Sequence, residues 1–318
     1  MVAPLHIIAS CTERKRVAVP AALRLREVVA EDTRARAREW WRHLKTGRHA
    51  TVAASALYAG EHWSVVLGLP EAARASGFTP RLWVASAGYG LIPVNAAVQP
   101  YSATFARGNE DSVVTDPGAR DAADQLQLWW GSLSEYEGPA VGQARTIMAL
   151  AEDEPHASIL VVASSHYVAA LAGDLAQAAR QLTKPERLFI VSTPSTLSKG
   201  ELAPHWIPSS AHHQQRLGGS KLSLHARVAR ELLRETPSRH FDANAVRQRY
   251  ERWIETSSPP PIHHRAPMSD DQVRSYIRRV VKAGAKSWSA SLRLLRSEGQ
   301  ACEQSRFKRL FLEVQEGS

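Results

Sequence analysis

Four short apolar runs in this sequence each end in a group of small polar residues, and a helix-forming stretch follows each of them. The runs and their polar ends are 5–9 with SCTERK, 82–85 with SAGYG, 158–163 with SSHY, and 187–191 with STPST. Strands that are apolar throughout and alternate with helices are typical of a parallel sheet covered on both faces. We therefore predict an α/β fold in which helices flank a mostly parallel central sheet.

The four polar ends are expected to form one site, because the carboxyl ends of parallel strands lie at the same edge of a sheet. Tyrosine rings in such a site can stack on a nucleobase, and a histidine can donate to a phosphate or a developing anion. The alternative is a set of ordinary surface loops and a helix-terminal histidine. The candidate substrate-binding residues are Ser10, Cys11, Gly88, Tyr89, Gln99, Tyr101, Ser164 and His166.

Two adjacent carboxylates, Glu110 and Asp111, end the polar loop that follows the second of these strands. A carboxylate beside a bound sugar can activate a water or stabilise an oxocarbenium ion, and the preceding Asn109 can orient that water. We therefore take Asp111, Glu110 and Asn109 as candidate catalytic residues, with Glu13 as the alternative carboxylate. Asn-Glu-Asp is equally typical of a solvent-exposed turn.

The chain is basic, with 40 Lys and Arg against 31 Asp and Glu and a formal charge of +9. Such an excess suits a polyanion partner such as nucleic acid, although an arginine-rich genome composition gives similar numbers. Two strand ends carry candidate DNA contacts: Arg14 and Lys15 follow the first strand, and Ser195 and Lys199 follow the last.

A proline-rich segment divides the chain. Three consecutive prolines at 259–261 favour an extended, semi-rigid spacer. We predict an α/β catalytic domain at 1–256, a linker at 257–268 that holds His263 and His264, and a helical module at 269–318. Residues 269–316 of that module carry ten Lys and Arg against six Asp and Glu.

This small basic module resembles a helix-turn-helix reader of DNA, with Arg293 and Arg296 as candidate contacts. The alternatives are a helical lid packed on the core and a dimer arm. The oligomeric state stays open.

Several classes of protein are disfavoured. No apolar run is long enough for a membrane span, and the apolar N-terminus lacks the basic start of a signal peptide. Cys11 and Cys302 lack metal-ligand spacing, and nucleotide-binding glycine motifs, HExxH and the zinc-deaminase pattern are absent. A Ser-His-Asp triad stays open, although no GxSxG marks one. We expect a cytoplasmic protein with no metal and no organic cofactor.

SCTERK at 10–15, VASAGYGLIP at 84–93 and QPYSATF at 99–105 resemble the YaaA-like and related domain-of-unknown-function families over residues 5–200. Those families show Ser-Cys with a nearby Lys after a strand, and later Ser-Ala-x-Tyr-Gly-Leu before Pro-Tyr. The sequence is also similar to antiphage DNA glycosylases of the Brig type, whose fold is related to that of uracil-DNA glycosylases. The uracil-glycosylase motifs Gly-Gln-Asp-Pro-Tyr and His-Pro-Ser-Pro are absent.

The resemblance implies a hydrolase that flips a modified base, such as glucosylated hydroxymethylcytosine, out of double-stranded phage DNA. It would cleave the N-glycosidic bond and leave an abasic site, as a form of antiviral defence. One alternative is a base-modifying enzyme of the 7-deazaguanine type, a transferase or nitrile hydratase, which would need the thiolate of Cys11. Another is a DNA-binding regulator without enzymatic activity.

Overall fold

The computed structural model describes residues 3–116, 118–256 and 265–316. The chain divides into two compact units, an N-terminal unit (Met1–Ser258) and a C-terminal unit (Pro259–Ser318). Each unit has its own cluster of buried apolar side chains. His263 and His264 of the predicted linker lie outside the described residues.

One six-stranded sheet organises the N-terminal unit, in the order β4-β3-β1-β6-β7-β8. All neighbours in it are parallel except β3 and β4. The predicted α/β fold with a mostly parallel sheet is therefore confirmed. The strands of this unit are β1 (Ala3–Ser10), β2 (Val52–Ala53), β3 (Phe78–Ser86), β4 (Gly90–Pro93), β5 (Ala97–Val98), β6 (Ser158–Val162), β7 (Leu188–Ser192) and β8 (Trp206–Pro208), of which β2 and β5 form a separate antiparallel pair.

The helices of the N-terminal unit form two packing groups. One group holds α3, α4 and α8 to α10, which pack around α9, and the other holds α1 and α5 to α7. The ranges are α1 (Thr33–Thr46), α2 (Ala54–Leu57), α3 (Glu61–Leu67), α4 (Leu69–Ala75), α5 (Ala122–Ser134), α6 (Ile147–Asp153), α7 (Ser165–Gln181), α8 (His213–Leu217), α9 (Leu224–Glu235) and α10 (Ala243–Thr256).

The first strand is central in the sheet. Ile7 of β1 pairs with Leu82 of β3 on one side and with Leu160 of β6 on the other. The chain therefore builds the sheet outward from β1 in one direction and then in the other. Ligands of open α/β sheets bind outside the carboxyl ends of the strands at such a reversal. The topology therefore predicts a ligand site at the loops after β1 and β6.

The C-terminal unit is helical, as predicted. Its elements are β9 (Ala266–Pro267), α11 (Asp270–Lys282), α12 (Trp288–Ser297), β10 (Gln300–Ala301) and α13 (Gln304–Glu316). The two short strands pair in parallel, and Ser269 and Gln272 form a capping box at the start of α11. Buried side chains from all three helices make the core, including Ile277, Leu295 and Phe307.

Across the described parts of both units, every helix is too short or too polar to span a lipid bilayer.

Candidate functional site

A cavity of about 640 Å³ lies where β1 and β6 end. Its walls come from four segments: residues 10–14 after β1, 59–62 at the start of α3, 164–167 at the start of α7, and 220–225 at the start of α9. This volume lies within the range of small-molecule sites. Ser10, Cys11, Arg14 and Ser164 of the predicted site line it.

Cys11 and Tyr167 lie side by side in the cavity. The Cys11 Sγ atom is 3.1 Å from the Tyr167 hydroxyl oxygen, and both side chains are buried. The Cys11 backbone N–H donates to the Ala85 carbonyl at 3.0 Å, which fixes the turn after β1 against β3. Phe105 packs edge-on against the Tyr167 ring. A thiol and a phenol are therefore held together at the sheet edge.

Glu13 brings a carboxylate to the rim of the cavity. Its Oε1 atom accepts a hydrogen bond of 2.8 Å from Asn109 Nδ2, while the Asn109 Oδ1 atom accepts from the backbone N–H of Asp111 at 2.9 Å. The Glu13 side chain is exposed, and its neighbour Arg14 also lines the cavity. A carboxylate and a cation therefore both line the cavity.

The Asp111 carboxylate is bound by Arg26 and Ser102 and does not line the cavity. Its carboxylate accepts hydrogen bonds from the backbone N–H and guanidinium of Arg26 and from the Ser102 hydroxyl, at 2.6 to 3.0 Å. Burial favours the neutral acid, but these hydrogen bonds outweigh it and lower the pKa of Asp111 to about 2. Glu110 is exposed and pairs with the same Arg26. Of the three predicted catalytic residues, Asn109 contacts a residue that lines the cavity, namely Glu13. Asp111 instead joins Arg26 to Ser102.

Two histidines form one wall. The His62 and His225 ring centroids are 4.6 Å apart, and His62 Nε2 lies 3.5 Å from the Ser10 hydroxyl. Burial lowers the pKa of His62 to about 4, and burial together with the neighbouring His62 lowers that of His225 to about 3. Both imidazoles are therefore neutral near pH 7. Sequence reasoning did not single them out, since α3 and α9 carry no motif that pairs them.

The Lys15 ammonium contacts two tyrosine rings and two backbone carbonyls. Its ammonium lies over the rings of Tyr58 and Tyr101, 5.1 and 4.9 Å from their centroids, and donates to the carbonyls of Thr12 and Glu13. Burial lowers its pKa. Lys15 therefore stabilises the cavity-lining turn through these carbonyls.

Tyr89 and Tyr101, the aromatic residues predicted to stack on a base, form hydrogen bonds inside the protein. Tyr101 is fully buried, and its hydroxyl is 2.6 Å from Ser86 Oγ and 3.0 Å from the Tyr58 hydroxyl. Gly88 lies against the Tyr101 ring so closely that a Cβ would overlap it. Tyr89 and Gln99 line a second cavity of about 420 Å³. None of these four lines the larger cavity.

The remaining predicted residues are dispersed. His166 is exposed in the first turn of α7, and burial of part of its ring and the nearby Arg107 lower its pKa. Ser195 and Lys199 begin and end a short turn after β7. Arg293 is exposed on α12, and Arg296 donates to the Cys302 carbonyl at 3.2 Å. Within the described ranges, no three His, Cys, Asp or Glu residues converge as a metal ion would require.

Comparisons with known proteins add no family. No protein-family model, no curated protein and no solved structure matches this chain. The support for a function comes from the cavity and its residues.

Proposed function

We propose that the protein is a DNA glycosylase that removes a modified nucleobase from phage DNA in the cytoplasm. The observation that carries the proposal is the Glu13 carboxylate, hydrogen-bonded to Asn109, at the rim of a cavity of about 640 Å³. An enzyme that acts on a base must take it out of the stack into such a pocket. A cavity of this size has room for a base that carries a substituent as large as a sugar.

The reaction needs a group that activates water. With Glu13 Oε1 held by Asn109, the Oε2 atom is left to accept a proton from a water that attacks the sugar carbon C1′. The bond between C1′ and the base breaks, its electron pair leaves with the base, and the sugar keeps the hydroxyl. The hydroxyls of Ser10, Ser164 and Tyr167 supply hydrogen bonds for the departing base. The product strand carries an abasic site.

The charge distribution favours a nucleic-acid substrate. The C-terminal unit holds eleven Lys and Arg against six Asp and Glu, so five of the nine excess positive charges lie in its sixty residues. Among the described residues, seven of its cations form no ion pair with a carboxylate. Three of the seven contact a backbone carbonyl or an aromatic ring, and the other four are Arg278, Lys282, Lys286 and Arg293. Unpaired cations are available for phosphates and release counterions on binding. We assign this unit to duplex binding.

The test compares two DNAs of the same sequence, one unmodified and one with glucosylated hydroxymethylcytosine. The purified full-length protein should release free base only from the modified DNA, as measured by chromatography, and leave alkali-labile sites. The Glu13→Gln variant should release it about 10²- to 10⁴-fold more slowly. The proposal is wrong if the wild-type protein releases no base and leaves no alkali-labile site in any modified phage DNA.

A base-modifying reaction is the second candidate, because the Cys11 thiol lines the same cavity beside Tyr167. A transferase or nitrile-acting enzyme would use this thiolate as a nucleophile. Mass spectrometry of digested DNA separates the two candidates, since a modifying enzyme leaves an altered nucleoside in the strand. A Cys11→Ser variant with full activity would count against this second candidate. A regulator without catalysis would keep its cellular effect in the Glu13→Gln variant.

A further inference from the structure

A second cavity, of about 420 Å³, lies in the N-terminal unit apart from the one that Cys11 lines. The two cavities share no lining residue. Tyr89 and residues within the segments 41–51, 97–99 and 135–139 line the second cavity, so its walls come from the end of α1, from β5 and from the loop after α5. Its volume lies within the range of small-molecule sites. The proposed reaction uses none of these residues.

Two aromatic rings stack on each other in the wall of the second cavity. The ring centroids of Trp41 and Tyr136 are 5.4 Å apart, and the ring planes differ by 9°. Both side chains are half-buried and line the cavity. Aromatic rings stack with flat ligands, and the negative potential of their faces attracts cations, most strongly at Trp. This wall therefore favours a flat ligand and can stabilise a positive charge on it.

Two carboxylates flank Tyr136 in the sequence. Glu135 and Glu137 are exposed, line the cavity and form no ion pair within the part of the chain that the structure describes. Lys45 also lines the cavity, so two carboxylates and one ammonium give the described lining a formal charge of −1. The whole chain, by contrast, carries +9. A negative cavity in a basic protein attracts cations.

Gln99 fixes one wall of the second cavity. Its Nε2 atom donates to the Leu44 carbonyl at 2.7 Å and its Oε1 atom accepts from the His49 backbone N–H at 3.0 Å, so the end of α1 is joined to the loop that follows. The Gln99 backbone N–H donates to the Tyr89 hydroxyl at 3.0 Å. A Cβ on Gly47 would overlap the Gln99 side chain. These contacts hold the wall in place without a ligand.

Arg145 fixes the wall that carries Tyr136. Its guanidinium donates to four backbone carbonyls at 2.6 to 3.1 Å, including those of Tyr89 and Tyr136. Burial lowers the pKa of Arg145 to about 10, so it stays charged at neutral pH, and the four carbonyls stabilise its charge. Gly138 lies so close that a Cβ would overlap the guanidinium. A ligand therefore need not order this wall on binding, which reduces the entropic cost of binding.

We propose that the second cavity binds a small flat cation that carries N–H donors, of the amidinium or guanidinium type. The flat group stacks on the pair of Trp41 and Tyr136, and its N–H groups donate to Glu135 and Glu137. An ionised carboxylate only accepts hydrogen bonds, and a guanidinium-like group combines a planar face with a fork of donors that fits a carboxylate. The inference goes beyond the proposed function and does not depend on it.

Benzamidine and benzamide are the probes, because they have nearly the same shape and differ in charge and in N–H donors. In calorimetric titrations of the full-length protein, benzamidine should bind with a Kd of about 0.1–1 mM, as expected of a ligand this small. Benzamide should bind at least about tenfold more weakly, because its carbonyl oxygen cannot donate to a carboxylate.

The Glu135→Gln/Glu137→Gln variant should bind benzamidine at least about tenfold more weakly, with an unchanged melting temperature because both positions are exposed. Glu152→Gln/Glu186→Gln is the matched control: it makes the same change of charge at two exposed positions outside the lining and should bind as wild type. Glu13→Gln should also bind benzamidine as wild type, since Glu13 lines the other cavity. Failure of the glycosylase proposal would leave these results unchanged.

The stacking surface is tested by Trp41→Leu, which should weaken benzamidine binding by about fivefold to tenfold. The proposal is overturned if benzamidine shows no binding up to about 10 mM, or if benzamide binds equally well. It is also overturned if Glu135→Gln/Glu137→Gln binds benzamidine as tightly as its control variant, or if Trp41→Leu binds it as tightly as wild type.

Discussion

Asn109 and Glu13, 96 positions apart in the sequence, are joined by a hydrogen bond of 2.8 Å from Asn109 Nδ2 to Glu13 Oε1. The contact brings the loop of the predicted catalytic residues to the turn after β1. One oxygen of the carboxylate is thereby held while the cavity lies beside it. An amide that holds one carboxylate oxygen leaves the other able to accept a proton, as the proposed general base would have to do.

Replacing Glu13 by Gln should remove the base without removing the hydrogen bond from Asn109 or the shape of the side chain. We expect base release under single-turnover conditions to fall by about 10²- to 10⁴-fold. Since Glu13 is exposed, the melting temperature should stay unchanged. Asn109→Ala should cost less, because it removes orientation only. A Glu13→Gln variant that releases base at the wild-type rate would show that another group activates the water.

Asp111→Asn should reduce stability, because it weakens the hydrogen bonds that tie Arg26 and Ser102 to one carboxylate. We expect the free energy of unfolding in urea to fall by about 1–3 kcal/mol, since Arg26 keeps partial access to water. Glu110→Gln is the control: Glu110 contacts the same Arg26 from an exposed position, and its variant should lose under about 0.5 kcal/mol. If Asp111→Asn is as stable as wild type but inactive, Asp111 is the catalytic carboxylate after all.

Acid should destabilise the N-terminal unit through His225. Its pKa is lowered to about 3 by burial and by His62, so below pH 6.5 the unfolded chain binds a proton that the folded chain does not. This contribution is absent above pH 6.5, and stability falls by about 1.4 kcal/mol per pH unit as the pH drops from 6.5 towards 3.

Urea unfolding at pH 7.0 and at pH 5.0 measures this slope. His225→Gln should reduce it by the contribution of one proton, since His62 keeps its own lowered pKa, while His156→Gln, at an exposed position, should leave it unchanged. An unchanged slope in His225→Gln would show that His225 is charged or exposed in the folded protein.

Removal of residues 259–318 should separate catalysis from duplex binding. The N-terminal unit has its own buried cluster and should fold without the C-terminal unit. Base release from a single strand should persist, whereas duplex affinity should fall. The slope of log affinity against log salt should decrease by about 0.9 for each phosphate contact that is lost. The full-length Arg278→Ala/Arg293→Ala variant should show part of the same change. Equal duplex affinity in the shortened protein would rule out DNA binding by the C-terminal unit.

The sheet could be predicted from the sequence because its central strands are uninterrupted apolar runs. Residues 158–163 predict a strand, and the structure has β6 at Ser158–Val162. The position of Ser10 and Cys11 at the cavity follows from parallel topology alone. The direction of Tyr89 and Gln99 could not be predicted, because β4 turns back antiparallel to β3 and sends the following loop to another cavity.

Partners far apart in the sequence limited the prediction of the site. Arg26 lies 85 positions from Asp111 in the sequence and donates hydrogen bonds to its carboxylate. The local sequence Asn-Glu-Asp does not indicate this partner. His62 and His225 meet only because α3 packs against α9. Glu13, the alternative carboxylate, follows the first strand end in the sequence, and the structure places it in the lining of the cavity.

The cavity draws its walls from four segments that are each separated by more than forty residues. Closing such long loops costs chain entropy that is recovered only when the whole sheet has formed, so contacts of this kind appear late in folding. A nascent or partly unfolded chain therefore has Glu13 but no pocket around it. A reaction that damages DNA would be confined in this way to molecules that have finished folding.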